Sequence, residues 1–216
     1  YGSVEYYLPG LVDIRNNNSA GWEWRAPVHN YLVAKNLGNN FTRESVTIDI
    51  LHIKSNIHGG AKSHNVTSEQ KYMKDAGLLL EHHKEHPTDT RTIFYLAQSY
   101  RDAGKPEEAA KWYKKRMEMG GWNEEVYFAK YSYAVCKIRT GKYDFETELI
   151  YDLLKAWNYR KSRLEALFTI VNTYRMNGAY QRAFAYGMLG FGVEKPQDLL
   201  FVHKAIHDYR FIDEVA

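Results

Sequence analysis

The feature that most constrains this chain is a recurrence every 37 residues in its C-terminal two-thirds. Leu96-Ala97, Tyr100, Gly104 and Ala109 return as Tyr133-Ala134, Lys137, Gly141 and Glu146, then as Ile170-Val171, Tyr174, Gly178 and Ala183. The first and third sets share Tyr-x3-Gly-x4-Ala, whereas the middle set keeps the glycine and departs at Lys137 and Glu146. Glycine closes helices because it tolerates a left-handed backbone, and proline cannot continue one. The breaks at Pro87, Gly104-Lys105-Pro106, Gly120-Gly121, Gly141, Gly178 and Pro196 predict helices near 68–85, 89–103, 106–119, 123–140, 143–158, 161–177, 179–193 and 197–208. Thr67, with Gln70 three positions on, predicts a capping box at the first of them. A single helix pair cannot bury its apolar face, so the pairs must stack and share a core.

The pattern resembles the tetratricopeptide repeat, in which a large residue, a small one, Tyr, Gly and Ala follow this spacing with a usual period of about 34 residues. The longer period here implies slightly longer helices or turns. The resemblance implies a groove between stacked pairs, where Arg101, Asn172, Tyr174 and Arg175 would favour peptide binding. Much of the tyrosine content, 18 residues in all, falls in this region. Tyr100, Tyr113, Tyr131, Tyr133, Tyr174 and Tyr180 are expected mostly to pack between helices. Cys136, the lone cysteine, sits on an apolar helical face and is expected to be a buried structural thiol.

Residues 1–66 follow a different grammar, so the expected division is 1–66 and 67–216. Leu11–Arg15 runs into an Asn-rich turn, Trp22, Trp24 and Tyr31-Leu32-Val33 suit strands, and Ser45–Ile53 places Val46, Ile48, Ile50 and His52 on one face. A net charge of +3 is too small to argue for nucleic acid. A single cysteine excludes an internal disulfide and Cys-based zinc sites. No apolar run spans a membrane and no secretory signal is visible, which predicts a cytoplasmic protein with its Asn-x-Ser/Thr patterns unused. The chain opens at Tyr1 without Met and reads as a piece of a longer protein.

Chemistry is expected in the first 66 residues. One constellation is Gly21-Trp22-Glu23-Trp24-Arg25-Ala26-Pro27-Val28-His29-Asn30-Tyr31-Leu32, and the other runs from His52 through His58 to His64. Imidazole suits both metal ligation and proton transfer near neutral pH. The same histidines also fit polar loops and a strand end, because no His-x3-His pair or Asp-x-Asp stands among them. Trp22 and Trp24 suit either stacking on a sugar ring or packing between strand layers.

The first constellation, Gly-Trp-x-Trp-x-x-Pro-Val-His-x-Tyr-Leu, resembles a segment of glycosyltransferase family 2-like proteins with C-terminal tetratricopeptide repeats. Lys71-Tyr72-Met73-Lys74-Asp75-Ala76, Phe94 through Gly104, Met119 through Val126 and Asp198-Leu199-Leu200-Phe201-Val202 continue the resemblance in order over nearly the whole chain. It implies a mainly α fold, a tetratricopeptide-like array preceded by a small β-rich remnant of a glycosyltransferase-A-type α/β domain. It further implies a metal-dependent, inverting transfer of sugar from a nucleotide-diphosphate donor to a glycan or protein acceptor. Trp22 and Trp24 would meet sugar, His29 would serve catalysis, Lys62 and Ser63 would hold the donor diphosphate, and His52 or His58 would bind Mn2+ or Mg2+. Asn30 stands where the family commonly has Glu, and an amide cannot act as a base; Glu23 and Asp13 are the carboxylates left for that role. The family's Asp-x-Asp motif is absent, so an N-terminal nucleotide-binding half would be the partner of this chain, which is expected to be inactive alone. The alternative is a non-catalytic tetratricopeptide interaction module.

Overall fold

A computed structural model describes residues 4–5, 22–29, 31–34 and 66–216. The chain is mainly α-helical. Its helices are α1 (Ser68–Glu85), α2 (Thr90–Asp102), α3 (Pro106–Glu118), α4 (Asn123–Thr140), α5 (Ile150–Tyr159), α6 (Glu165–Met176), α7 (Tyr180–Gly190) and α8 (Phe211–Val215). Single π-helical turns, Phe145–Leu149 and Ile206–Arg210, lead into α5 and α8. Each helix packs chiefly on the next in sequence, and α8 also reaches α6.

Local chemistry explains most of the boundaries. Thr67 Oγ1 accepts from the Gln70 amide while Gln70 Oε1 accepts from the Thr67 amide, so the expected capping box forms. Asp89 caps α2 through the amides of Arg91 and Thr92, and Pro106 occupies the first turn of α3, where no amide hydrogen is needed. Gly104, Gly141 and Gly178 all take the left-handed backbone, with φ of 74°, 66° and 73°. They end α2, α4 and α6 at equivalent places, 37 residues apart.

Some long-range polar contacts have a similar span. Tyr127 donates to Glu165 and Tyr131 meets Thr169, each pair 38 residues apart, while Tyr159 reaches Asn123 at 36. The first two link α4 to α6, and the third ties the end of α5 back to the start of α4. The core runs as a chain of clusters along the array. Ala76, Leu79 and Leu96 join α1 to α2; Phe94, Ala109, Tyr113, Phe128 and Cys136 join α2, α3 and α4; Leu153, Leu167, Ile170, Tyr174 and Phe211 fill the far end. Cys136 is fully buried as expected, and the loss of water raises its thiol pKa to about 11.

Four short strands complete the described structure. β1 (Val4–Glu5) pairs antiparallel with β4 (Val202–His203), and β2 (Trp22–Arg25) pairs antiparallel with β3 (Tyr31–Ala34). No larger sheet occurs among the described residues, and the strand expected over 45–53 lies outside them.

Two expectations change. The first half of the helix expected over 197–208 does not form: the chain bends at Leu199-Leu200, turns left-handed at Phe201, pairs as β4 at Val202–His203, and becomes helical only from Lys204. Side chains from distant helices capture its backbone amides and carbonyls, so the intrahelical bonds lose their donors and acceptors. Tyr180 is 68% exposed rather than packed between helices.

Candidate functional site

The hairpin of β2 and β3 carries its turn onto the helical array. Ala26 and His29 take the left-handed backbone at φ 67° and 53°, an uncommon conformation for side-chain-bearing residues. Such strain persists where surrounding contacts over-determine it, and the contacts here are specific. Val28 packs against the cluster of Ala76, Leu79 and Leu96. The His29 ring stacks on Tyr95 of α2, centroids 4.1 Å apart and planes within 9°. Arg91 holds Tyr95 in turn, donating to its hydroxyl at 3.2 Å with the guanidinium 4.9 Å from the ring centroid.

The charges around His29 come from both supporting helices. Its stacked ring loses water, which lowers its pKa below the usual imidazole value; Lys71 and Arg91 lower it further, while Asp75 and Asp102 oppose them. Lys71 pairs with Asp75 at 3.4 Å, and Arg101 pairs with Asp102 at 2.8 Å. A largely neutral imidazole beside carboxylates can accept a proton from a hydroxyl. The residue keeps contact with solvent, so a ligand can reach it.

The other expected site residues fall in three places. Trp22, Glu23 and Trp24 lie on β2, paired with Ala34, Val33 and Leu32. Asn30, His52, His58, Lys62, Ser63 and Asp13 lie outside the described residues. Among the described residues, no three His, Cys, Asp or Glu side chains are grouped to hold a metal ion. His29 with Asp75 does not make a metal shell by itself.

A second polar assembly, not anticipated from the sequence, lies at the start of α6. Arg163 and Glu165 are fully buried, with Nη2 to Oε1 at 2.8 Å. Arg163 also donates to Asp198 and to the carbonyls of Leu200 and Phe201, and its guanidinium carbon lies 4.7 Å from the Tyr127 ring centroid. Arg160 reaches both Asp198 oxygens. Glu165 accepts from Tyr127 and from the His203 amide, with His207 Nε2 at 3.9 Å. The one sequence signal is a dense run of charge, Arg160-Lys161-Ser162-Arg163-Leu164-Glu165, at the mouth of an otherwise apolar helix. Burial pushes the Glu165 carboxyl pKa up, but His207 and Arg163 outweigh it and hold it well below the ordinary carboxylate range.

The groove residues expected to meet a peptide are engaged within the chain. Asn172 and Arg175 both donate to Glu214, Tyr174 donates to Glu146, and Arg101 pairs with Asp102. No known protein family model matches the chain, and no curated protein matches it either.

Proposed function

We propose that the chain is the acceptor-side end of a metal-dependent, inverting glycosyltransferase joined to a tetratricopeptide-like array. One observation supports this reading most. The segments that carry the resemblance meet in space: the Pro27-Val28-His29 turn packs on α1 and α2, which contain Lys71-Tyr72-Met73-Lys74-Asp75-Ala76 and Phe94 through Asp102.

In this reading the array is the platform that orients the His29 turn. His29, held neutral near pH 7, would take up the proton of an acceptor hydroxyl, with Asp75 and Asp102 favouring the imidazolium that forms. Trp22 and Trp24 on the adjoining strand would stack on the acceptor sugar, and Glu23 would share the proton chemistry left open by Asn30. His52 or His58 would contribute to the site of Mn2+ or Mg2+, which when bound supplies charge to the departing diphosphate, and Lys62 and Ser63 would bind its oxygens. The nucleotide-binding half would be supplied by the rest of the same protein, so donor turnover is expected from the whole protein and not from residues 1–216.

The test is a donor screen. The full-length protein is incubated with a panel of nucleotide sugars and Mn2+ or Mg2+, and release of nucleotide diphosphate is followed. Release with one donor, reduced at least about tenfold by His29→Ala, is expected. No release with any donor would sink the reading in favour of a non-catalytic interaction module. That second reading is supported by the segment 198–203 lying across α2, α4 and α6.

A further inference from the structure

Residues 198–203 lie across the first helices of the three pairs, and side chains from those helices and the α5–α6 loop hold them in the manner of a bound peptide. Glu124, in the first turn of α4, accepts from the amides of Leu199 at 2.7 Å and Leu200 at 2.8 Å. Arg163 donates to the carbonyls of Leu200 at 3.0 Å and Phe201 at 2.8 Å. Glu165 accepts from the His203 amide at 3.1 Å. These bonds hold the main chain from Leu199 to Phe201 by side chains, while Val202 and His203 also pair with β1.

Two side-chain pockets add selectivity. Arg160 and Arg163 converge on the Asp198 carboxylate, which is buried. Three residues on, the Phe201 ring lies 4.9 Å from Phe128 and 6.4 Å from Phe94, and Leu200 enters the cluster of Phe94, Ala97, Tyr113 and Phe128. Phe201 takes φ 47°, a left-handed kink that turns its ring into this pocket. The guanidinium pair reads a carboxylate, and the aromatic pair reads a ring.

We propose that this face is a recognition site for a peptide bearing a carboxylate three residues before an aromatic ring, and that residues 198–203 occupy it in cis. A partner peptide of that pattern binds by displacing the chain's own segment. Its apparent affinity is reduced by the fraction of time the segment is seated, so loosening the segment raises affinity without touching the pockets. The inference is independent of the transferase reading, because neither pocket includes His29 or the β2–β3 hairpin.

A fluorescein-labelled peptide of sequence 197–203 is titrated into the 216-residue chain and its anisotropy followed. The double variant Asp198→Asn/Phe201→Ala keeps Arg160, Arg163, Glu124, Phe94 and Phe128. It is expected to bind the peptide at least about tenfold more tightly than the unsubstituted chain. A control peptide with the same two substitutions should bind neither protein. A second measurement uses the unsubstituted chain alone: millimolar peptide should speed hydrogen exchange at amides 199–203 while residues 93–98 stay protected. Equal affinity of a cooperatively melting double variant and the unsubstituted chain would overturn the proposal. If the double variant does not fold, unchanged exchange at 199–203 overturns it in the same way.

Discussion

Arg163 and Glu165 form an ion pair from which water is wholly excluded, 2.8 Å between Nη2 and Oε1, two residues apart at the mouth of α6. The pair carries more than its own charge. Arg163 anchors Asp198 and two carbonyls, and Glu165 anchors the Tyr127 hydroxyl and the His203 amide. Removing one partner strands the other in a medium that solvates charge poorly. Glu165→Ala should therefore cost about 3–5 kcal/mol in urea unfolding. A loss under 1 kcal/mol would mean that the guanidinium is served by its remaining acceptors alone.

The same assembly predicts sensitivity to acid. Burial pushes the Glu165 and Asp198 carboxyls up, but His207 and Arg163 at Glu165, and Arg160 and Arg163 at Asp198, bring both below their ordinary values. A depressed carboxylate contributes stability that is present above its unfolded pKa, near 4, and lost as pH falls through the folded value. Unfolding free energy should decline steadily from about pH 5 downward. In Asp198→Asn the slope should be shallower, and an unchanged slope would remove Asp198 from the account.

His29 offers a spectroscopic check on the docked hairpin. Loss of water on its stacked face, with Lys71 and Arg91 adding to it, lowers its pKa below 6.5. The neutral form is thus the docked form, and its contribution is present above the unfolded value and lost as pH falls below it. In an NMR titration the His29 ring should titrate below the ordinary value. Tyr95→Ala should bring it upward, because the ring then regains solvent. Failure of Tyr95→Ala to move it would separate the shift from the stacking.

Gly141 closes α4 at φ 66°, and nothing crowds the space where a Cβ would stand. The cost of Gly141→Ala is then conformational alone, about 1 kcal/mol, because a Cβ disfavours the left-handed region. Gly104→Ala and Gly178→Ala should cost similar amounts in chemical denaturation, since the three turns share one backbone conformation.

Gly190 is a different case. A Cβ there would stand 2.6 Å from Phe211 Cζ and 2.9 Å from Leu164 Cδ2. The Phe211 ring is buried and cannot swing aside. Gly190→Ala should destabilise by about 1–3 kcal/mol through overpacking, read as a lowered melting temperature. A melt matching the unsubstituted chain would show that α7 and α8 separate freely.

The turns at Gly104, Gly141 and Gly178 and the cap at Thr67 were legible because each is decided within a few residues by backbone sterics and local hydrogen bonds. The candidate site was legible only in part. His29 was named from its segment, but Tyr95 and Asp75 enter through packing of segments more than 40 residues distant. Tyr180 carries the same aromatic signal as Tyr174, yet one is exposed and the other buried, because exposure depends on which neighbour stacks against the helix face.

By itself the sequence determined where helices stop and what one thiol does: glycines spaced 37 residues apart at the ends of α2, α4 and α6, and a buried Cys136. Those features rest on local φ preferences and on the spacing of apolar residues, which the chain carries at every stage of folding. Only the tertiary structure decided the fate of Asp198-Leu199-Leu200-Phe201. Its apolar spacing is compatible with a helix, but Glu124, 75 residues before Leu199, supplies a better acceptor for its amides, and Arg163 a better donor for its carbonyls. A backbone bonds to whatever partner the folded array brings within reach, and no local pattern records that.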